Sequence, residues 1–252
     1  MSGHSKWANI KHQKGAADAR RGRIFTKIIR EMGVAVREGG PNPEGNFKLR
    51  LAIQKARDNA MPIDHIERTI KRASGEGEAG ALLEMVLEGY GPGGTAIMVN
   101  ATTDNRNRTV QEVRASFTRH GGSLGASGCV AWLFESKGVI TVKPGGINAD
   151  DLMLNAIDAG AEDVKVETGF VEVYTKPVDL EKVRAALEAK QIPIERAEVS
   201  LEAKQMVQLD EKAAMTTLRL LDRLEELDDV QSVASNADFT DAVLEKYQAS
   251  VP

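Results

Sequence analysis

The sequence predicts an α+β protein: an N-terminal all-helical domain followed by two α/β domains, one of them ferredoxin-like and inserted into the other. Three observations predict it. Apolar residues up to Arg72 recur at helical spacing, and the Gly-rich stretch ASGEGEAGA, Ala73 to Ala81, ends that pattern. From Leu82 apolar and polar residues alternate as in strands. Between residues 129 and 202 the series of strands and helices contains the βαββαβ order of a ferredoxin-like sandwich. The expected domains are 1–80, 81–128 with 203–246, and 129–202.

Three helices are expected in the first domain. In the first, Ile24, Phe25, Ile28, Ile29, Met32 and Val36 fall within an arc of about 140° at 100° per residue, with Arg23, Lys27, Arg30 and Arg37 opposite. One face packs and the other is a cationic stripe. GGPNPEG then breaks the chain, and a second helix from about Asn46 to Asn59 buries Leu49, Ile53, Ala56 and Ala60. Its basic residues recur seven apart, Lys48 with Lys55 and Arg50 with Arg57, so each pair lies along one line of the helix. The third begins at Pro62, carries Asp64 and Glu67 near its positive end and Lys71 and Arg72 at its negative end, and buries Ile63, Ile66 and Ile70. The short turn before it invites a helix-turn-helix reading. Carboxylates on the first turn of a reading helix, however, oppose phosphate and most base acceptors.

LLEMVLEGYGPGGTAIMVNATTDN, from Leu82, reads as two strands joined across GYGPGG, followed by a helix with Val110, Val113 and Phe117 on its apolar side. GYGPGG lacks the Lys-Ser/Thr of a phosphate loop and leads into a strand, so a hairpin turn is expected. In DNRNRT, Thr109 and Glu112 have capping-box spacing, which sets Arg106 and Arg108 at or just before the positive end of a helix. Each cation there costs about 0.3–1 kcal/mol. The offset is either an anion, a phosphate or a partner's carboxylate, or an internal salt bridge to the acidic body, and the spacing leaves both open.

CVAWLF and GVITV are expected strands, Ala149 to Ala159 a helix, AEDVKVET and FVEVYTK strands, Val178 to Lys190 a helix, and PIERAEVSLE a strand. The tail supplies a helix from Glu211 to Glu226, in which Met215, Leu218, Leu221 and Leu224 recur, and the strand DVQSVAS. These complete the ββα unit begun at residue 82 and make 129–202 an insertion.

Charge is divided along the chain. The formal net charge is −4, yet residues 1–72 hold 16 Lys or Arg against 7 Asp or Glu, and the remaining 180 hold 17 against 30. A basic module joined to acidic ones suits a protein in which one part binds a polyanion and the rest stays soluble. The segment from His4 to Lys27 has seven Lys or Arg and one acid, Asp18. Its first 15 residues or so lack apolar periodicity and form an arm without a core of its own. Lys6, Lys11, Lys14, Arg20, Arg21 and Arg23 suit phosphates, and Trp7, His4 and His12 offer rings for stacking on exposed bases. Lys27 and Arg30 extend the basic surface along the first helix. The bland alternative is a solvated tail whose Trp7 docks on the protein's own helices.

Several function classes are excluded or disfavoured. No apolar run approaches the roughly 20 residues needed to span a bilayer, and no apolar stretch follows the basic start as a signal peptide requires. A single cysteine, Cys129, excludes an internal disulfide framework and fits a reducing compartment, so the expected location is cytoplasmic. An Arg-rich mitochondrial presequence is the competing reading of the start, but this segment runs straight into a patterned helix. His4 and His12, eight apart with no nearby Cys, do not make a metal ligand set, and neither metal nor cofactor is expected. Cys129 opens an apolar strand with no His or Asn placed to activate it, and the pairs Asp150/Asp151 and Asp228/Asp229 are expected to be solvated. No catalytic constellation emerges, and an enzyme is not expected.

The start MSGHSKWANIKHQKGAADARRGRIFTKIIRE, with EGYGPGG, TDNRNRT and GAEDV, resembles the YebC family over nearly the whole chain. Bacterial members of that family are described as DNA-binding transcriptional regulators and mitochondrial relatives as translational activators. The resemblance implies three domains, a nucleic-acid partner, and action at the ribosome near the peptidyl transferase centre at proline-rich stalls. Leu87 stands where many relatives carry an aromatic, a departure that bears on hairpin packing. The arm of rings and cations leans toward ribosomal RNA, whereas the helical domain supports the DNA reading. No dimer interface is visible in the sequence. A protein-binding adaptor acting through the acidic ferredoxin-like module is the alternative, and it predicts binding that survives loss of residues 1–23.

Overall fold

The structure, a computed structural model, describes residues 17–75, 82–143, 148–167 and 169–250, with side chains from Arg21 onward. In chain order the first three helices are α1 (Ala17–Gly39), α2 (Phe47–Asp58) and α3 (Ile63–Ser74). Next come β1 (Leu83–Tyr90), β2 (Ala96–Thr103), α4 (Arg106–Arg119) and β3 (Ser123–Leu124). The middle holds β4 (Phe134–Val142), α5 (Ala149–Ala159), β5 (Asp163–Glu167), β6 (Phe170–Thr175), α6 (Leu180–Ala189) and β7 (Ile194–Ala203). The tail has β8 (Val207–Gln208), α7 (Glu211–Glu225), β9 (Val230–Ser235), β10 (Ala237–Asp238) and α8 (Asp241–Ser250). These elements fall into two compact units, one from the described residues of Met1–Phe134 and Ala203–Pro252, the other Glu135–Glu202.

The first unit begins with the expected helices. Ile28, Met32, Ala35 and Val36 of α1 meet Leu49, Ala52, Ile53 and Ala56 of α2 and Ile66 of α3 in one buried cluster. Asn46 fixes the corner between α1 and α2. Its Oδ1 accepts from Leu49 N at 3.0 Å, and its Nδ2 donates to Ala35 O at 2.6 Å and Gly40 O at 2.8 Å. Three expected core positions are outside, the first being Ile29 of α1, 36% exposed at the edge of the apolar arc. Ala60 is exposed in the left-handed region at φ 53°, because the chain has already left α2 there, and Ile63, opening α3, is 61% exposed.

The sheet of this unit runs β3-β1-β2-β9, antiparallel throughout. Ile97 and Val99 of β2 and Val233 of β9 pack with Val113 and Phe117 of α4 and Leu218, Leu221 and Leu224 of α7. The β1–β2 hairpin turns at Pro92–Gly94, with Gly93 at φ 69° as the turn requires. Helix α8, absent from the sequence expectation, adds Leu244 and Tyr247 to the core, and the Tyr247 hydroxyl hydrogen-bonds Asp222.

The second unit has strand order β5-β6-β4-β7, so its strands are arranged 2-3-1-4 in chain order. This is the βαββαβ sandwich, with Leu152 and Ala156 of α5 and Leu180, Val183 and Leu187 of α6 buried. CVAWLF differs from expectation: Cys129 and Val130 lie in a bend and Ala131–Leu133 form one 3-10 turn, so the strand begins at Phe134. The reason is Glu88 on β1, whose buried carboxylate accepts from Gly128 N at 2.6 Å, Val130 N at 2.9 Å and Ala131 N at 2.8 Å. Amides held that way are withdrawn from ladder pairing. Burial pushes the Glu88 carboxyl up, but the three N–H bonds outweigh it and leave the group below its ordinary value.

Candidate nucleic-acid interface

His4, Lys6, Trp7, Lys11, His12 and Lys14 lie outside the described residues, as does the side chain of Arg20. Arg21 and Arg23 are exposed in the first turns of α1. Arg21 Nη2 donates to Ala60 O at 3.2 Å, and its guanidinium lies 5.4 Å from the centre of the Phe25 ring. That geometry ties the head of α1 to the α2–α3 corner while the guanidinium stays at the surface.

Lys27 and Arg30 turn the other way. Lys27 Nζ donates to Glu225 O at 2.7 Å and Arg30 Nη1 to Asp228 O at 2.6 Å. Those carbonyls lie at and just beyond the C-terminal end of α7, where the helix dipole is negative and cations are favoured. The cationic stripe is therefore divided: Arg23 faces solvent, and Lys27 and Arg30 hold the helices to the sheet body.

Asp229 is the centre of that attachment. Its Oδ1 accepts from Arg30 Nη1 at 2.7 Å, and its Oδ2 accepts from Arg108 Nη2 at 2.8 Å, Thr109 Oγ1 at 2.7 Å and Thr103 Oγ1 at 3.0 Å. Its backbone carbonyl takes Thr102 N at 2.7 Å, extending the β2–β9 pairing. The expectation that Asp229 is solvated is therefore corrected: it is 3% exposed, because two arginines and two hydroxyls replace water around it. Burial pushes its carboxyl up, yet the bonds from Arg108, Thr109 and Thr103 and the charge of Arg30 leave it below the ordinary value.

The DNRNRT stretch resolves differently for its two arginines. Asn105, and not Thr109, caps α4, its side chain accepting from Arg108 N at 3.1 Å. Thr109 is buried one turn in and serves Asp229. Arg108, on the first turn of α4, bonds Asp229 and also Asp104 Oδ1 at 2.8 Å, and these carboxylates raise its already high pKa further. For Arg108 the offset is the internal salt bridge. Arg106 is exposed and makes no ion pair among the described residues.

The roles of Asp229 and Glu88 were missed from sequence because their partners lie about 40 to 200 residues away, beyond any local spacing. Among the described residues no group of His, Cys, Asp or Glu is placed to hold a metal ion, and no helix is long and apolar enough to cross a membrane.

Residues 5–76 match the family model for the TACO1/YebC protein N-terminal domain, and residues 82–237 that for the TACO1/YebC second and third domain. A "probable transcriptional regulatory protein" of Dehalococcoides mccartyi strain CBDB1 is 58% identical over 249 residues, 99% of each chain. Another so named, from Moorella thermoacetica, is 52% identical over 249 residues, 98% of this chain and 99% of the relative. The crystal structure of a conserved hypothetical protein from Aquifex aeolicus is similar at a TM-score of 0.85 and 49% identity, covering 94% of this chain and 98% of that one. By both matches and by relatives alike over their full length, this chain belongs to the TACO1/YebC family.

Proposed function

We propose that this protein is a non-enzymatic regulator of gene expression that binds nucleic acid through its basic N-terminal arm and helical module. The observation that carries the reading is the charge division, 16 basic against 7 acidic residues over 1–72 in a chain of net charge −4. The arm residues Lys6, Trp7, Lys11 and Lys14, with His4 and His12 between them and Arg20, Arg21 and Arg23 at the head of α1, take the phosphates and bases. Lys27 and Arg30, engaged with Glu225, Asp228 and Asp229, hold α1 against the end of α7.

Two observations bear on the kind of nucleic acid. The arm's rings and cations suit irregular RNA with splayed bases, and the exposed N-terminal part of α3, with Asp64 and Glu67, suits a major-groove reader poorly. The name borne by the relatives, probable transcriptional regulatory protein, points to transcription instead. The test is competition for labelled full-length protein at about 150 mM salt, where non-specific phosphate contacts are weak. Purified ribosomes and duplex DNA are matched in nucleotide content. Displacement by ribosomes at far lower concentration supports a translation factor, the reverse supports a transcriptional regulator, and binding to neither overturns the proposal.

A further inference from the structure

The chain's acidic part contains one helix of opposite sign. The 14 residues of α4 hold Arg106, Arg108, Arg114 and Arg119 and a single acid, Glu112, whereas residues 73–252 together hold 17 basic against 30 acidic. At 100° per residue Arg114 lines one flank of its outer face and Arg108 and Arg119 the other, while Arg106, the first residue of the helix, falls at the angle of Val113 and Phe117 and is exposed at the N-terminal end. Asn107, Gln111, Ala115 and Thr118 lie between the two flanks, all exposed, while Thr109, Val113, Ser116 and Phe117 are buried on the opposite side. Arg108 is bound to Asp104 and Asp229. Arg106, Arg114 and Arg119 make no ion pair among the described residues.

We propose that this outer face of α4, together with the exposed N-terminal end that carries Arg106, is a second contact surface for nucleic acid, taking the phosphate backbone of the polymer that the arm binds; it rests on the function proposed above. Thirteen steps separate Arg106 from Arg119, about 20 Å of helix, enough to follow several phosphates. The strip between the arginines offers amide and hydroxyl side chains, the neutral groups that donate to phosphate oxygens. It has no large exposed apolar residue of the kind that anchors a protein interface.

The experiment measures binding of full-length protein to labelled single-stranded RNA and duplex DNA between 50 and 200 mM salt. It compares wild type, Arg23→Glu, and the triple variant Arg106→Gln/Arg114→Gln/Arg119→Gln, each checked for unchanged melting. Loss of three phosphate contacts should flatten the slope of log affinity against log salt by about 2 for RNA or 2.7 for duplex DNA. An unchanged slope in the triple variant beside weakened binding by Arg23→Glu overturns the α4 surface alone. Absence of salt-dependent binding by wild type overturns both proposals. Unchanged nucleic-acid slopes with lost binding of poly-glutamate would make the face a site for acidic protein and overturn it too.

Discussion

Replacing Asp229 by Asn keeps the side chain's shape and removes its charge. The carboxylate receives four side-chain bonds, from Arg30, Arg108, Thr103 and Thr109. Asn supplies one oxygen in place of two and presents an N–H where an arginine now donates, so at least one charge-assisted bond is lost, about 1.5–3 kcal/mol. Truncation to Ala strands the buried hydroxyls as well and approaches the about 3–5 kcal/mol cost of breaking a buried pair. Arg30, whose side chain is 23% exposed, recovers some hydration, which favours the lower end. The predicted loss is about 2–3 kcal/mol for Asp229→Asn and about 3–4 kcal/mol for Asp229→Ala at pH 7. The sign of the pH dependence is fixed by the depressed carboxyl: its stabilisation is complete above the unfolded value near 3.9 and disappears as pH falls through the lower folded value. The gap between wild type and Asp229→Asn should therefore be full at pH 7 and narrow progressively below about pH 4. Urea unfolding followed by circular dichroism at several pH values measures it. A gap below about 0.5 kcal/mol at pH 7, the range of ordinary surface changes, or one that does not narrow in acid refutes the hub.

Glu88→Gln leaves at least one of the amides of Gly128, Val130 and Ala131 facing a donor, and should cost about 1–3 kcal/mol, read as a drop in melting temperature and faster hydrogen exchange at 128–131. Gly89→Ala would set a methyl 2.6 Å from Ser123 O and 2.7 Å from Phe117 Cε1, costing about 1–3 kcal/mol in urea unfolding. Gly22→Ala, exposed in α1 with nothing within 4 Å, should instead stabilise by about 0.5–1 kcal/mol in the same assay.

What the sequence made legible was periodic and local. Ile28, Met32 and Val36 of α1, the leucines of α7 and the apolar run that opens β2 each announce a buried position, and those residues are buried. What it hid was the destination of polar groups. Lys27 and Arg30 look like ligand-facing cations because a solvated stripe and a docking surface have the same spacing, and only the α7 end distinguishes them. CVAWLF has a strand's composition, but the carboxylate 40 residues upstream claims its amides. Thr109 has an N-cap's spacing, yet Asn105, four residues earlier, caps the helix and leaves Thr109 to Asp229.

The place of Asp229 in the chain has a consequence for biosynthesis. Strand β2 emerges from the ribosome with one neighbour, β1, and waits for β9, its other partner, until the whole second unit has been made. Arg30 and Arg108 likewise precede their shared carboxylate by 199 and 121 residues. A nascent chain ending before residue 211 thus presents the α1 cations Lys27 and Arg30 without the α7 end and Asp229 that later engage them, and an incomplete sheet beside them. Such long-range closure is slow to form, since loop entropy must be overcome before the contacts reward it. Docking of the basic helices is consequently a late event, completed by the last forty or so residues of the polypeptide.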